Sequence, residues 1–189
     1  MRSLGIAMLI AASHSVGAAD FSLSELMREF AEVPSARARF TEVRQMSVLQ
    51  NPLTLSGRLA YDRPGRIERH VLAPYDEKTV ISGDRITIEN RTRNTSRTFS
   101  LNSAPAAYAL VESLRATLAG DLAALEQHYS VELKGRREEW TLALAPRGPA
   151  VRSLVSSVTI IGTQVRILRF EVREAGGDSS TMTITDDKP

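Results

Sequence analysis

The residues that could do chemistry in this 189-residue chain are few, and their spacing argues against a reaction centre. The histidines beyond the first twenty residues are His70 and His128. One falls on a strand pattern and the other at the end of a helical pattern, a spacing that offers no shared metal site. The absence of cysteine removes disulfides, thiol nucleophiles, thiolate metal sites and lipid attachment at a cysteine. Glu138–Glu139 and Asp186–Asp187 are adjacent carboxylates in turn or terminal settings, where such pairs are solvated. No G-x-S-x-G, phosphate-binding loop, dinucleotide fingerprint or H-E-x-x-H is present. The expectation is therefore no catalytic residue, no metal and no cofactor.

The basic residues are the other chemical resource. Lys78, Lys134 and Lys188 are the lysines, and all other basic side chains are arginines. That bias suits contact with anions or lipid head groups, and it equally suits a GC-rich genome. Arg63, Arg66, Arg69, Arg91, Arg93 and Arg97 have few aromatics between them, which argues against a single-stranded nucleic-acid platform. With 24 basic and 22 acidic residues, net charge selects no partner. What remains is a binding protein.

The elements that would build it follow in chain order. Met1–Arg2, the apolar run Leu4–Ala12 and the small residues Gly17, Ala18 and Ala19 read as a secretory signal peptide. The expected division is residues 1–19 as signal, cleaved before Asp20, and 20–189 as one exported, periplasmic domain. No later segment is apolar enough to span a membrane. Ser22-Leu23-Ser24-Glu25 forms a capping box ahead of Leu23, Leu26, Met27 and Phe30 at helical spacing, and Pro34 closes that helix.

The centre of the chain is Leu53–Pro74. Leu53, Leu55, Gly57, Leu59 and Tyr61 alternate with polar or small residues, the period of a strand with one buried face. Arg63-Pro64-Gly65-Arg66 predicts a type II turn, and Ile67–Leu72 a returning strand. Short strands then follow at 79–82, 85–89 and 98–101, without helical crossovers, so the sheet is an antiparallel meander. From Ala104 to Tyr129 the pattern turns helical. Gly120 ends one short helix and Asp121 caps the next, with Tyr108, Val111, Leu114 and Leu118 on one face and Glu112 and Arg115 turned away. Such an insertion either plugs a sheet edge or covers a cavity. Strands resume at 131–133, 140–144, 153–161, 164–173 and 181–185, with Gly162 and Gly176–Gly177 at turns and a loop at 146–149. About ten or eleven strands result, too many to stay flat, so the sheet must curl or close.

Phe40-Thr41-Glu42, the strand ending in Arg63-Pro64, the following strand and proline loop, and Val80-Ile81-Ser82-Gly83-Asp84-Arg85-Ile86 occur in an order that resembles the LolA family of periplasmic lipoprotein carriers. The resemblance spans nearly the whole mature chain. It implies an α+β fold: a curved, incompletely closed antiparallel β-barrel covered by an N-terminal helix and a two-helix lid. It also implies a carrier, not an enzyme, that shields acyl chains of a lipoprotein on the way to the outer membrane. An inner-membrane releasing complex and an outer-membrane acceptor would be its partners, and it would act as a monomer without nucleic acid.

The residue carried over as lid latch is Arg63, which would bond the carbonyls of a lid helix, and Ile67 matches a lining position. Strand phase and the resemblance together place Leu55, Leu59, Tyr61, Ile67, Ile86, Ile88, Leu110, Val111, Leu114, Trp140 and Leu142 on the cavity wall. The chain departs from the family at Arg69, Thr87 and Glu89, where aromatic residues are usual, and at Asp186-Asp187-Lys188-Pro189, where the family has a further strand. A less aromatic cavity would suit another acyl lipid or glycolipid. Two rival readings are a partner-binding sensor module, expected to lack a deep cavity, and a lipid-processing enzyme, expected to hold a polar cluster inside one.

Overall fold

The computed structural model describes residues 21–187. The expected signal peptide lies outside the described residues. The first element, α1 (Leu23–Ala31), starts where Ser22 Oγ accepts from the Glu25 amide at 3.2 Å. Leu26, Met27 and Phe30 are its buried stripe. The capping box is only half formed, because the Glu25 carboxylate accepts from Arg137 at 2.8 Å instead of reaching back to Ser22.

Six strands follow: β1 (Ser35–Gln45), β2 (Leu53–Asp62), β3 (Arg66–Ala73), β4 (Glu77–Ser82), β5 (Arg85–Asn90) and β6 (Thr95–Ser100). A short 3-10 turn at Leu101–Ser103 leads into α2 (Pro105–Ala119) and α3 (Leu122–His128). The chain ends with β7 (Tyr129–Arg136), β8 (Glu139–Pro146), α4 (Pro149–Arg152), β9 (Val155–Thr163), β10 (Arg166–Glu174) and β11 (Ser179–Asp186).

The eleven strands among the described residues form one antiparallel sheet in the order β6-β5-β4-β3-β2-β1-β11-β10-β9-β8-β7. Two meanders are thus joined where the first strand pairs with the last, Phe40 opposite Ile184. The consecutive strands β6 and β7 lie at opposite edges of this order, so the barrel is not closed. The chain between them, α2 and α3, must cross the sheet, and this crossing places helices over one of its faces. The sequence expectation of a curved, unclosed sheet with a helical insertion holds.

The central registers decide what faces inward. Tyr61 pairs with Ile67 and with Ala36, and Ile67 pairs with Ile81. Gly57 pairs with Phe40, and a Cβ at Gly57 would run into the His70 carbonyl and the Phe40 ring. The main core gathers α1, α3 and β7–β10 around Trp140, whose ring meets Phe30 edge-on at 5.9 Å. Its indole N–H donates to the Gln164 carbonyl at 2.8 Å.

The helix α2 packs on two sides. Ala109, Ser113, Ala116 and Thr117 are buried on one, and both hydroxyls are returned to the helix's own carbonyls, Ser113 to Leu110 and Thr117 to Ser113, each at 2.6 Å. Small residues there let the helix approach its neighbours closely. Leu110, Val111, Leu114 and Leu118 occupy the other side.

Several local expectations are corrected. The insertion is not a pair of short helices, since α2 runs for 15 residues. Glu112 does not face away: it is 6% exposed and is held by Arg115 Nε at 2.9 Å. Gly162 lies inside β9, where its missing side chain makes room for the Trp140 ring, and the turn falls at Gln164, with φ of 50°. The β2–β3 turn is closed by the Gly65 amide on the Asp62 carbonyl at 3.2 Å, so Pro64 is its third residue, where a type II turn needs the positive φ that a proline ring forbids. The 146–149 loop runs on into α4, one turn begun by Pro149.

Candidate functional site

Between α2 and the inward face of the central strands lies a cavity of about 440 Å³. That volume is in the range of pockets that hold one small ligand. Leu110, Val111, Leu114 and Leu118 of α2 roof it. Leu59, Tyr61, Ile67 and Ile81 form one wall, and Phe170, Met182 and Ile184 another. The Tyr61 hydroxyl is buried with no hydrogen-bond partner among the described residues, and burial raises its pKa against a partial offset from the nearby Arg63 charge.

Of the residues expected on the wall, Leu59, Tyr61, Ile67, Leu110, Val111 and Leu114 are there. Five others are placed elsewhere. Leu55 is sealed against Phe40 and Val71, where the floor of the sheet packs solid. Trp140 and Leu142 belong to the main core under α1 and α3. Ile86 and Ile88 belong to the cluster that Tyr61, Ile67, Ile81 and Leu101 form with the α2 side chains, but neither borders the cavity itself. Strand phase puts all five on the inward face, but the helices decide which inward residues meet a space and which meet atoms.

One part of the wall is ionic. Glu42, 3% exposed, accepts from Arg44 Nε at 2.7 Å, Arg69 Nη2 at 2.5 Å and Ser180 Oγ at 2.6 Å. All four residues border the cavity. Burial pushes the Glu42 pKa up, but the Arg44 hydrogen bond, the Arg69 charge and the Ser180 hydroxyl outweigh it, and the carboxyl titrates below its usual range. The Arg69 guanidinium lies over the Phe40 ring, 5.0 Å from its centroid. This cluster was missed as a site in the sequence. Its signal was present: Ala38, Phe40, Glu42 and Arg44 share a strand phase, so the loose alternation of β1 is a polar segment of the inward face.

Arg63 stands at the β2–β3 turn, outside the cavity. Its Nε donates to the Val33 carbonyl at 3.1 Å and its Nη2 to the Ala119 carbonyl at 3.0 Å. Val33 follows α1, and Ala119 is the last residue of α2. Gly120, in the left-handed region with φ of 71°, donates its amide to the Thr117 carbonyl at 3.1 Å, and the Asp121 amide donates to the Ala116 carbonyl at 2.8 Å. The Ala119 carbonyl, left without an intrahelical partner, is the one Arg63 takes.

The histidines have structural company. His70 Nε2 lies 2.8 Å from Asp76 Oδ1, and His128 stacks edge-on to Tyr108 at 5.5 Å. Among the described residues no cluster of His, Asp and Glu could hold a metal, and no helix is long and apolar enough to cross a membrane.

A curved, open antiparallel sheet with an apolar cavity held under a crossing helix defines a class of half-barrel proteins. The chain belongs to the family described as outer membrane lipoprotein carrier protein LolA-like, which matches residues 11–186. Among solved structures it is similar to a LolA superfamily protein from Nitrosomonas europaea, at 11% identity over 88% of this chain and 94% of that one, with a TM-score of 0.46. A putative outer membrane lipoprotein-sorting protein domain from Vibrio parahaemolyticus matches at 10% identity over 87% and 89%, with a TM-score of 0.43. The Pseudomonas aeruginosa MucA/MucB complex matches at 14% identity over 87% of this chain and 56% of that one, with a TM-score of 0.45. No curated protein matches the chain.

Proposed function

We propose that this chain is a periplasmic carrier that shields the acyl chains of a lipoprotein in its cavity for transport towards the outer membrane. The observation that carries the reading is the apolar space between Leu59, Ile67 and the α2 side chains Leu110, Val111 and Leu114. Burial of a chain there contributes about 0.8 kcal/mol per methylene group, and an acyl chain cannot cross an aqueous compartment unshielded. In this reading α2 is the lid and Arg63 its latch. An inner-membrane releasing complex would load the carrier and an outer-membrane acceptor would unload it, with no catalytic step.

A second reading, a carrier of another acyl lipid, is favoured by the Glu42–Arg44–Arg69 cluster, which introduces charge into the wall. Native mass spectrometry of protein purified from the periplasm, followed by lipid extraction, tests both. A bound triacylated peptide supports the first reading and a bound free lipid the second. Protein that emerges empty and takes up no acyl probe removes both.

A further inference from the structure

The inward side of β1 is amphipathic along its length. Ala36 and Ala38 lie towards the β2–β3 turn, and Glu42 and Arg44 towards the β1–β2 turn. From Ala36 to Glu42 is six residues, or about 20 Å of strand at about 3.4 Å per residue. One leaflet of a bilayer core is roughly 15 Å deep, half of about 30 Å. One acyl chain therefore fits alongside the apolar part, ending at the ionic part.

The ionic part is not balanced within itself. At the other end of the cavity Arg166 pairs with Asp186 at 2.5 Å, and Asp62 takes Arg37 at 2.7 Å with Arg66 farther off at 3.7 Å, Arg66 having Glu68 at 3.0 Å as a partner of its own. Here one carboxylate, Glu42, serves two guanidiniums. Among the described residues Arg69 donates a single hydrogen bond, from Nη2, and Arg44 a single one, from Nε. An arginine carries five N–H donors, so most of those on the pair are unspent. Arg69 is the more telling of the two, since its side chain is only 19% exposed and rests on apolar Phe40. Glu174 and Asp178 also border the cavity, but neither forms an ion pair with Arg44 or Arg69 among the described residues, and Asp178 accepts from the Ser47 amide at 2.8 Å. Glu77 is near enough to act on Arg44 through its charge, and it accepts from Asn90 at 3.1 Å.

We propose that the cavity binds a single-chain amphiphile with an anionic head, its carboxylate or phosphate monoester held by Arg69 and Arg44 and its tail running past Leu59 and Ile67 beneath α2. The proposal rests on the acyl-carrier reading and narrows it. Guanidinium forks match both oxyanions, and a partly desolvated site strengthens the pairing.

Three ligands of equal chain length test it: palmitate, hexadecyl phosphate and hexadecanol, titrated calorimetrically below their aggregation limits. The expected result is that at least one anion binds tenfold or more tightly than hexadecanol, and which of them does so identifies the oxyanion. Arg69→Leu should remove that preference while hexadecanol binding persists, and Arg97→Leu, on the exposed β6 edge, should leave it intact. If Arg69→Leu does not melt cooperatively, Arg44→Leu takes its place, with the same expectation. Equal binding of all three ligands by the unaltered protein overturns the anionic head and leaves the acyl carrier standing. A preference unchanged in the arginine variants overturns the assignment to these residues. No binding of any of the three overturns both readings.

Discussion

Arg63 and Ala119 are tied by one hydrogen bond, Nη2 to main-chain carbonyl at 3.0 Å, and this bond joins the sheet to the end of the helix that roofs the cavity. The same guanidinium holds the Val33 carbonyl at 3.1 Å, so a single side chain gathers the exits of α1 and α2. A cation at the C-terminal end of α2 also meets the negative end of the helix dipole. Moving α2 away from the cavity must break this contact.

Arg63→Leu is therefore expected to change the uptake or release rate of an acyl probe by about tenfold, because charge-assisted contacts of this kind contribute about 1–3 kcal/mol. Arg66→Leu is the comparison. Arg66 sits one turn away but pairs with Glu68 at 3.0 Å and touches neither helix end. Stopped-flow probe binding and thermal melting of both variants make the test. Unchanged kinetics in Arg63→Leu would leave it an ordinary turn arginine.

Trp140 gives a second prediction, because it is the chain's single tryptophan and lies in the main core, not on the cavity wall. Saturation with an acyl ligand should leave intrinsic tryptophan emission unchanged, and a brominated acyl chain should not quench it. Quenching that follows the binding isotherm would return Trp140 to the wall. Gly162→Ala should destabilise the fold by about 1–3 kcal/mol through overpacking, since the new methyl group would strike the Trp140 ring. Urea unfolding measures that cost.

What could be read from the residues was what local chemistry decides. Ser22 before a helical stripe, Gly120 followed by Asp121, and the alternation from Leu53 to Tyr61 each need only their neighbours to be understood, and each is in its expected place. The difference between a wall and a core is not local. Leu55 and Leu59 share one strand phase, yet Leu55 is sealed by Phe40 and Val71 while Leu59 faces space, because curvature and the path of α2 separate them. Glu42 and Glu112 were obscure for a related reason. An acid on an inward phase reads as an irregularity until the arginines that meet it are located, and Glu42 is held both by Arg44 on its own strand and by Arg69, 27 residues away.

Ile67 tests the wall itself. It is 6% exposed, lines the cavity and pairs with Tyr61 and Ile81 across two strand interfaces. Ile67→Glu should abolish acyl-probe binding, since an ionised carboxylate in an apolar space is strongly disfavoured. Its effect on stability should be smaller than that of Leu55→Glu, whose site has no space for the carboxylate to find water. Probe titration and urea unfolding of the two variants check both parts. Wild-type affinity in Ile67→Glu would remove Ile67 from the binding surface.

Glu42 supplies the prediction in pH. Its carboxyl has an ordinary value of 4.5 and is held lower in the folded protein: burial opposes ionisation, and the Arg44 bond, the Arg69 charge and the Ser180 hydroxyl more than compensate. A lowered folded value means that the unfolded chain binds this proton more readily than the folded one. The corresponding stability is complete above about pH 4.5 and is lost as pH falls through the folded value. Glu42→Gln removes that dependence. Near neutral pH the variant should be less stable than wild type by about 1–3 kcal/mol, because two guanidiniums lose their shared carboxylate. The lower part of that range fits a site where the Arg44 side chain is 38% exposed. As pH falls below about 4.5 and through the folded value the gap should narrow, since wild type then loses the same interaction by protonation. Glu68, Asp84 and Asp187, whose carboxyls are also held low, titrate in both proteins and cancel in the difference. Urea unfolding of wild type and Glu42→Gln across this range measures the gap directly, and a gap that stays constant with pH would mean that the folded and unfolded chains bind the Glu42 proton alike, so that the arginines do not hold the carboxyl low.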